Sequence, residues 1–309
     1  SNQIGSRVIN NNFEKANEKE KIIFLGDSFT YGFGLNYEES IPGLIDKKTK
    51  NKYEIINFGF MGYSPSMNYY LLKNYINNFP DTKIKKVFYI LDITDVHDEA
   101  NRWTDIDGIE VPVIIDRSVE DEIKKDFDIR NNFRAIRYIS YLINKNVRNF
   151  KKNIKKNFYT LKKNKNNNLK SETPSFWAKF IYTPKKDLIS DTSYSSLWIN
   201  NEEYGINKIE KKIIEISKLL TEKKIDFYIA IHPWKEVLEF GQSEFSWENF
   251  ANDLCIKSEC KKLVNLFPDI DEIKSKEPLW KSKVYFEGDI HFSKYGNEIY
   301  SKKIYLESF

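Results

Sequence analysis

The sequence predicts an α/β fold on a parallel sheet of about five strands. Short apolar runs ending at turn residues recur along the chain, and segments of helical period lie between them. The first strand, helix and second strand fit within about 40 residues, the size of a βαβ unit. With 309 residues, the chain can bury a full core as one large α/β domain with insertions or as two small domains. A hydrophobic share of 40%, an aromatic share of 15% and only 12 Gly and 9 Pro mark it as globular rather than disordered or fibrous.

Residues 21–26 (KIIFLG) form a short apolar run ending in glycine, the pattern of a buried strand that feeds a turn. Residues 37–50 are expected to be helical with Ile41, Leu44 and Ile45 inward, and 53–58 (YEIINF) form the next strand. A helix over 66–79 and the strand 86–91 (KVFYIL) continue the alternation, which argues for parallel pairing. Ile206, Ile209, Ile213, Ile216 and Leu220 recur at spacings of three and four, giving an amphipathic helix before the strand 226–231 (DFYIAI). A short strand at 262–266 and a closing helix from about 294 complete the sheet.

Roughly 130 residues separate the third and fourth strands, more than a simple crossover needs. The expected organisation is therefore one domain over 1–309, with 98–205 as a largely helical insertion or cap. Within it, Ile136, Ile139, Ile143, Val147, Phe150, Ile154, Phe158 and Leu161 keep helical spacing, and residues 141–170 hold ten Lys or Arg and no acid. Packing the apolar face of this helix on the domain is the simpler reading, and an anionic membrane surface is the other. The net charge of +4 is thus local, and no recognition element with interleaved base-stacking aromatics appears, so no nucleic-acid partner is expected.

The two cysteines, Cys255 and Cys260, are too few for a disulfide scaffold and lack partners for a zinc site, though they can pair with each other in an oxidising compartment. No apolar run is long enough to span a membrane. The chain starts at Ser1 without Met and without a charged-then-apolar leader, so an upstream signal or membrane anchor is an expectation.

Three short blocks carry chemistry. Gly26-Asp27-Ser28-Phe29-Thr30-Tyr31-Gly32 lies where the first strand ends and a helix begins. In open α/β sheets ligands bind outside the carboxyl ends of strands, and a helix start offers N–H groups to a developing oxyanion. Alone, Ser28 reads first as a helix N-cap. The second block, Asn57-Phe58-Gly59-Phe60-Met61-Gly62-Tyr63-Ser64, follows the second strand, and its glycines allow close approach of backbone to ligand. The third, Glu287-Gly288-Asp289-Ile290-His291-Phe292, places an acid two residues before one of only three histidines. Such an acid can hold one imidazole nitrogen while the other faces a serine.

In order and spacing these blocks resemble the SGNH (GDSL-type) hydrolase superfamily, over essentially the whole chain outside the insertion. The opening Asn2-Gln3-Ile4-Gly5-Ser6-Arg7 is similar to the lead-in of one bacterial branch. The resemblance implies a flavodoxin-like α/β/α sandwich of three layers, neither metal nor cofactor, and a shallow site on the carboxyl edge of the sheet. It implies Ser28 as nucleophile, His291 as general base and Asp289 as its orienter. The Ser28 and Gly62 N–H groups become oxyanion donors.

One departure stands out. The family places an Asn side chain after the third strand as a further oxyanion donor, whereas this chain reads Leu91-Asp92-Ile93-Thr94-Asp95-Val96-His97, with Thr94 at that position. A Thr hydroxyl donates one bond over a shorter reach, and a lost donor typically costs about 2.7–4 kcal/mol in the barrier. Asn101 is an alternative donor, and His97 is a candidate substrate contact.

The resemblance implies acyl transfer through an acyl-enzyme on Ser28. Water would make the protein a serine esterase on acyl, chiefly acetyl, esters of a glycan. A sugar hydroxyl would make it an O-acyltransferase on a cell-surface polysaccharide, and Thr94 keeps open a weakened glycan-binding module. Trp103, Trp198 and Trp234 are candidates for stacking on sugar rings, with packing as the simpler reading. Similar proteins are bacterial and extracytoplasmic, periplasmic or membrane-anchored, which is the expected location.

Overall fold

The computed structural model describes residues 6–7, 19–50, 52–106, 109–112, 202–242, 245–287 and 289–309. The amphipathic helix expected over 136–161, and Trp198, lie outside them.

The sheet has five parallel strands: β1 (Lys21–Gly26), β2 (Glu54–Gly59), β3 (Ile84–Leu91), β6 (Asp226–Ile231) and β7 (Lys262–Asn265), in the order β2-β1-β3-β6-β7. Every residue of β1 is buried, as is β3 from Val87 to Leu91. That explains why these strands read as unbroken apolar runs: a parallel strand is covered on both faces and has no solvent side to alternate with. Between β3 and β6, β4 (Trp103–Ile106) and β5 (Ile109–Pro112) form a separate antiparallel hairpin.

Helices cover both faces. On one, α2 (Ile41–Thr49) packs against the closing helix α10 (Lys294–Ser308). On the other, α3 (Pro65–Asn78) packs against α5 (Glu202–Glu222), which also meets α7 (Trp247–Lys257). In α5, Ile209, Ile213, Ile216 and Leu220 are fully buried, the face their spacing predicts. The helix expected over 37–50 is split. A 3₁₀ turn at Tyr37–Glu39 ends at Ser40, whose extended backbone and hydroxyl, accepting from Gly43 N–H at 3.2 Å, cap α2.

Three of the remaining short helices are α6 (Lys235–Phe240), α8 (Phe267–Lys276) and α9 (Trp280–Val284), none of them anticipated, nor was α7. Cys255 in α7 and Cys260 just beyond it are joined by a disulfide. Asp98 and Glu99, where the insertion was expected to start, are buried in a short π-helical turn, Asp98–Arg102. It follows the single-turn helix α4 (Thr94–His97). No helix among the described residues is long and apolar enough to cross a membrane.

Ile213 has no exposed surface. Ile213→Ala is expected to lower unfolding free energy by about 2–5 kcal/mol, read by urea denaturation.

Candidate active site

Parallel register sets the site. Gly26 of β1 lies opposite Gly59 of β2, Leu25 opposite Tyr89 of β3, and Leu91 of β3 opposite Ile231 of β6. The chain therefore leaves four neighbouring strands at one edge, where the first two blocks and the segments after Leu91 and Ile231 meet.

At the end of β1, Gly26 adopts φ +147°, and a Cβ there would meet Thr30 Oγ1 at 2.2 Å and the Ile90 carbonyl oxygen at 2.8 Å. Only glycine allows so sharp an exit. Asp27 then caps the single-turn helix α1 (Ser28–Tyr31), accepting from Phe29 N–H at 2.9 Å. Ser28 is the first helical residue, so its N–H has no partner within the helix. Because α1 has only four residues, its dipole contributes little; the N–H itself is what the turn offers.

Arg7 holds this turn from outside. Its guanidinium lies over the Tyr31 ring, 4.4 Å from the centroid, and donates to the carbonyl oxygens of Tyr31, Gly32 and Leu35. The backbone N–H of Arg7 reaches Asn57 O at 3.2 Å, and Asn57 Nδ2 donates to Thr30 O at 3.1 Å. The lead-in and the second block thus brace the serine turn together.

The third block arrives before α10. Asp289 Oδ1 accepts from the His291 backbone N–H at 3.0 Å and lies 2.6 Å from His291 Nδ1. The opposite nitrogen, Nε2, lies 2.8 Å from Ser28 Oγ. The ring sits between Phe29 and Phe33, with centroids at 4.9 and 4.6 Å. Lys235 Nζ donates to the Asp289 carbonyl oxygen at 3.0 Å, which ties this loop to α6. Partial burial pushes the Asp289 carboxyl up, but bonds from the His291 N–H groups and the imidazole's charge outweigh it and hold the carboxyl below its ordinary value. The sequence-predicted Ser28, His291 and Asp289 are thus in one hydrogen-bonded line.

Thr94 does not fill the place expected of it. Its N–H donates to Asp92 Oδ2 at 2.9 Å and its hydroxyl donates to the same oxygen. A hydroxyl has one proton to give, so in this arrangement Thr94 offers none to an oxyanion. Gly62 lies in the loop after β2 at φ +75°.

Asp92 is itself a feature that the sequence reading passed over. It is fully buried and also accepts from Trp234 Nε1 at 2.8 Å. His232 Nε2 stands 3.1 Å away at an angle poor for a hydrogen bond. Trp234 is therefore a core side chain rather than a sugar platform. Burial raises the Asp92 carboxyl, but His232 and the Thr94 donors overcome it and leave it below its ordinary value. Asp27 goes the other way, raised by burial and then by the charge of Asp92, against the pull of Phe29 N–H. Asp95 is raised by burial and by Asp27, Asp92 and Asp98. The signal for this cluster was an acid directly after the apolar run Val87–Leu91 that ends β3. His97 is largely covered and faces Asp98 at 3.3 Å from Nδ1.

No protein-family model and no curated protein matches the sequence. Among solved structures, the chain is similar to an acetyl xylan esterase, AlAXEase, at 14% identity and TM-score 0.47, over 94% of this chain and 100% of that one. It is similar to a member of the lipolytic protein G-D-S-L family from Veillonella parvula DSM 2008 at 12% identity and TM-score 0.47, over 94% and 98%. It also resembles LAE5, an alpha/beta hydrolase enzyme from the metagenome of Lake Arreo, Spain, at 10% identity and TM-score 0.48, over 93% and 94%. At these scores the likenesses assign no role to any residue here.

Because the charge on Asp92 helps hold the Asp27 carboxyl up, Asp92→Asn is expected to lower the Asp27 pKa. Carbon-detected NMR titration of the carboxyl carbons checks this, and an unchanged or higher value contradicts it.

Proposed function

We propose that this chain is a serine esterase of the SGNH type, acting on acyl esters, chiefly acetyl esters of a glycan, and built as one domain with 98–205 inserted. The observation that carries this reading is the hydrogen-bonded line Ser28 Oγ, His291 Nε2, His291 Nδ1, Asp289 Oδ1 at 2.8 and 2.6 Å. A serine hydroxyl is a poor nucleophile unless a base takes its proton as it attacks, and this line is the arrangement that does so.

In the proposed reaction His291 Nε2 takes the Ser28 proton as Oγ bonds to the ester carbonyl carbon. The Ser28 and Gly62 N–H groups hold the oxyanion, and Asp289 stabilises the imidazolium while fixing its tautomer. The carbonyl carbon then releases the alcohol, to which His291 returns the proton, leaving an acyl group on Ser28. An attacking water gives its proton to His291 and its oxygen to the acyl carbon, and Ser28 departs with the proton back on Oγ. A sugar hydroxyl in place of water turns the same cycle into O-acyl transfer. No step needs a metal or cofactor.

A second reading, a weakened module that binds a glycan without turning it over, draws on one observation: the hydroxyl of Thr94 is taken by Asp92. The family resemblance of the three blocks and the bonded Cys255–Cys260 pair support a bacterial, extracytoplasmic location.

Hydrolysis of p-nitrophenyl acetate tests the main reading. Ser28→Ala is expected to lower kcat by about 10⁴-fold or more, with the fold intact by circular dichroism. Absence of turnover in the unsubstituted protein, with retained polysaccharide binding, would establish the module instead. Adding an acceptor glycan and following the acetyl group by mass spectrometry separates hydrolysis from transfer.

A further inference from the structure

Behind the loop that carries Gly62, polar side chains meet out of reach of water. Glu99 is fully buried, as are Ser64 and Ser66. Its Oε1 accepts from the Ser64 hydroxyl at 2.8 Å and from the Ser66 backbone N–H at 2.5 Å. Its Oε2 accepts from the Ser66 hydroxyl at 2.7 Å, and Lys208 Nζ of α5 stands 3.1 Å from the same atom.

This is an unusual way to start a helix. Ser64 is the N-cap residue of α3, yet its side chain makes no capping bond. Its hydroxyl points to Glu99, and Glu99 takes up one of the first-turn N–H groups of α3 from another part of the chain. Asn68 adds a second tie. Its Nδ2 donates to Ser64 O at 3.2 Å, to Gly26 O at 3.4 Å and to the Tyr89 hydroxyl at 3.3 Å, joining this helix start to the glycine that precedes Asp27 and Ser28. From the other side α5 presses close: a Cβ on Gly205 would meet Val96 O at 2.2 Å and Ala100 Cβ at 3.1 Å.

A local Ser or Asn side chain would cap α3 without burying charge. Burying a carboxylate and an ammonium side by side carries a desolvation penalty that capping alone does not require. What the pair adds is a fixed place for Ser64 and Ser66 relative to the π-turn and α5, with Asn68 tying the same helix start to Gly26.

We propose that Glu99 is a positioning residue for the reaction. It fixes the Gly62–Ser66 loop from behind, so that the Gly62 N–H meets the carbonyl oxygen as charge develops on it, and it ties that loop to the root of the 98–205 segment. The proposal rests on Gly62 as an oxyanion donor and on Ser28 as nucleophile. A donor displaced by about 1 Å loses most of its effect on the transition state while leaving substrate binding little changed.

The test compares the unsubstituted chain with Glu99→Gln, Ser66→Ala and Ser28→Ala on p-nitrophenyl acetate, alongside hydrogen–deuterium exchange of residues 60–66. Folded Glu99→Gln is expected to lose about 10- to 100-fold in kcat with KM within about twofold, and to exchange faster at 60–66. Ser66→Ala is expected to show the same pattern at a few-fold. Wild-type kcat or unchanged exchange in a folded Glu99→Gln overturns the proposal. If that variant fails to fold because Lys208 is left facing an uncharged partner, Ser66→Ala decides, and wild-type values there overturn it equally. Turnover that survives in Ser28→Ala would instead sink the functional reading, and the exchange data would then judge the loop restraint separately.

Discussion

One hydrogen bond, from Ser28 to His291, joins positions 263 residues apart, and the functional reading stands or falls with it. Neither residue could hold the other unaided. Ser28 is presented by a glycine exit from a fully buried strand, and that exit is braced by Arg7 and Asn57. His291 is aimed by a carboxylate two residues before it and clasped between two phenyl rings. The sheet supplies the rigid frame, since β1 is the second strand of five and cannot move without its neighbours.

Beneath this line lies an acid cluster that shares one strong set of donors. Asp92 accepts from Trp234 and from two groups of Thr94, with the His232 ring close beside it, and these hold its charge. Asp27 and Asp95 lack donors of comparable strength and are pushed toward the neutral form by burial first and then by the charge beside them. A buried region can hold one well-solvated carboxylate far more readily than three. Thr94 has thus been drawn into supporting a buried anion.

Much of the fold was legible because parallel strands buried on both faces leave long apolar runs, and because α5 repeats isoleucine at helical spacing. The helices α7, α8 and α9 were harder to read. They are short, and only α7 has a side-chain cap, with Ser246 accepting from Asn249 N–H at 3.2 Å. In the site, the catalytic-type residues were readable as blocks because their spacing is local. Trp234, Asp92 and Glu99 were not, since the direction of an indole or a buried carboxylate is decided by partners distant in sequence, and Thr94 turns to Asp92 only because that carboxylate is itself held in the core. For Glu99 those partners come from α5, more than a hundred residues away, and from the loop before α3.

The reach of Arg7 sets a limit on shortening this protein. The sheet begins at Lys21, and cutting the chain just ahead of it would keep every strand. Such a cut would also strip the guanidinium from the carbonyl oxygens of Tyr31, Gly32 and Leu35, exposing the far side of the serine turn to solvent. A fragment that keeps the Ser28 turn braced therefore has to retain Arg7, which contributes to no strand of the main sheet and serves that turn as a strut.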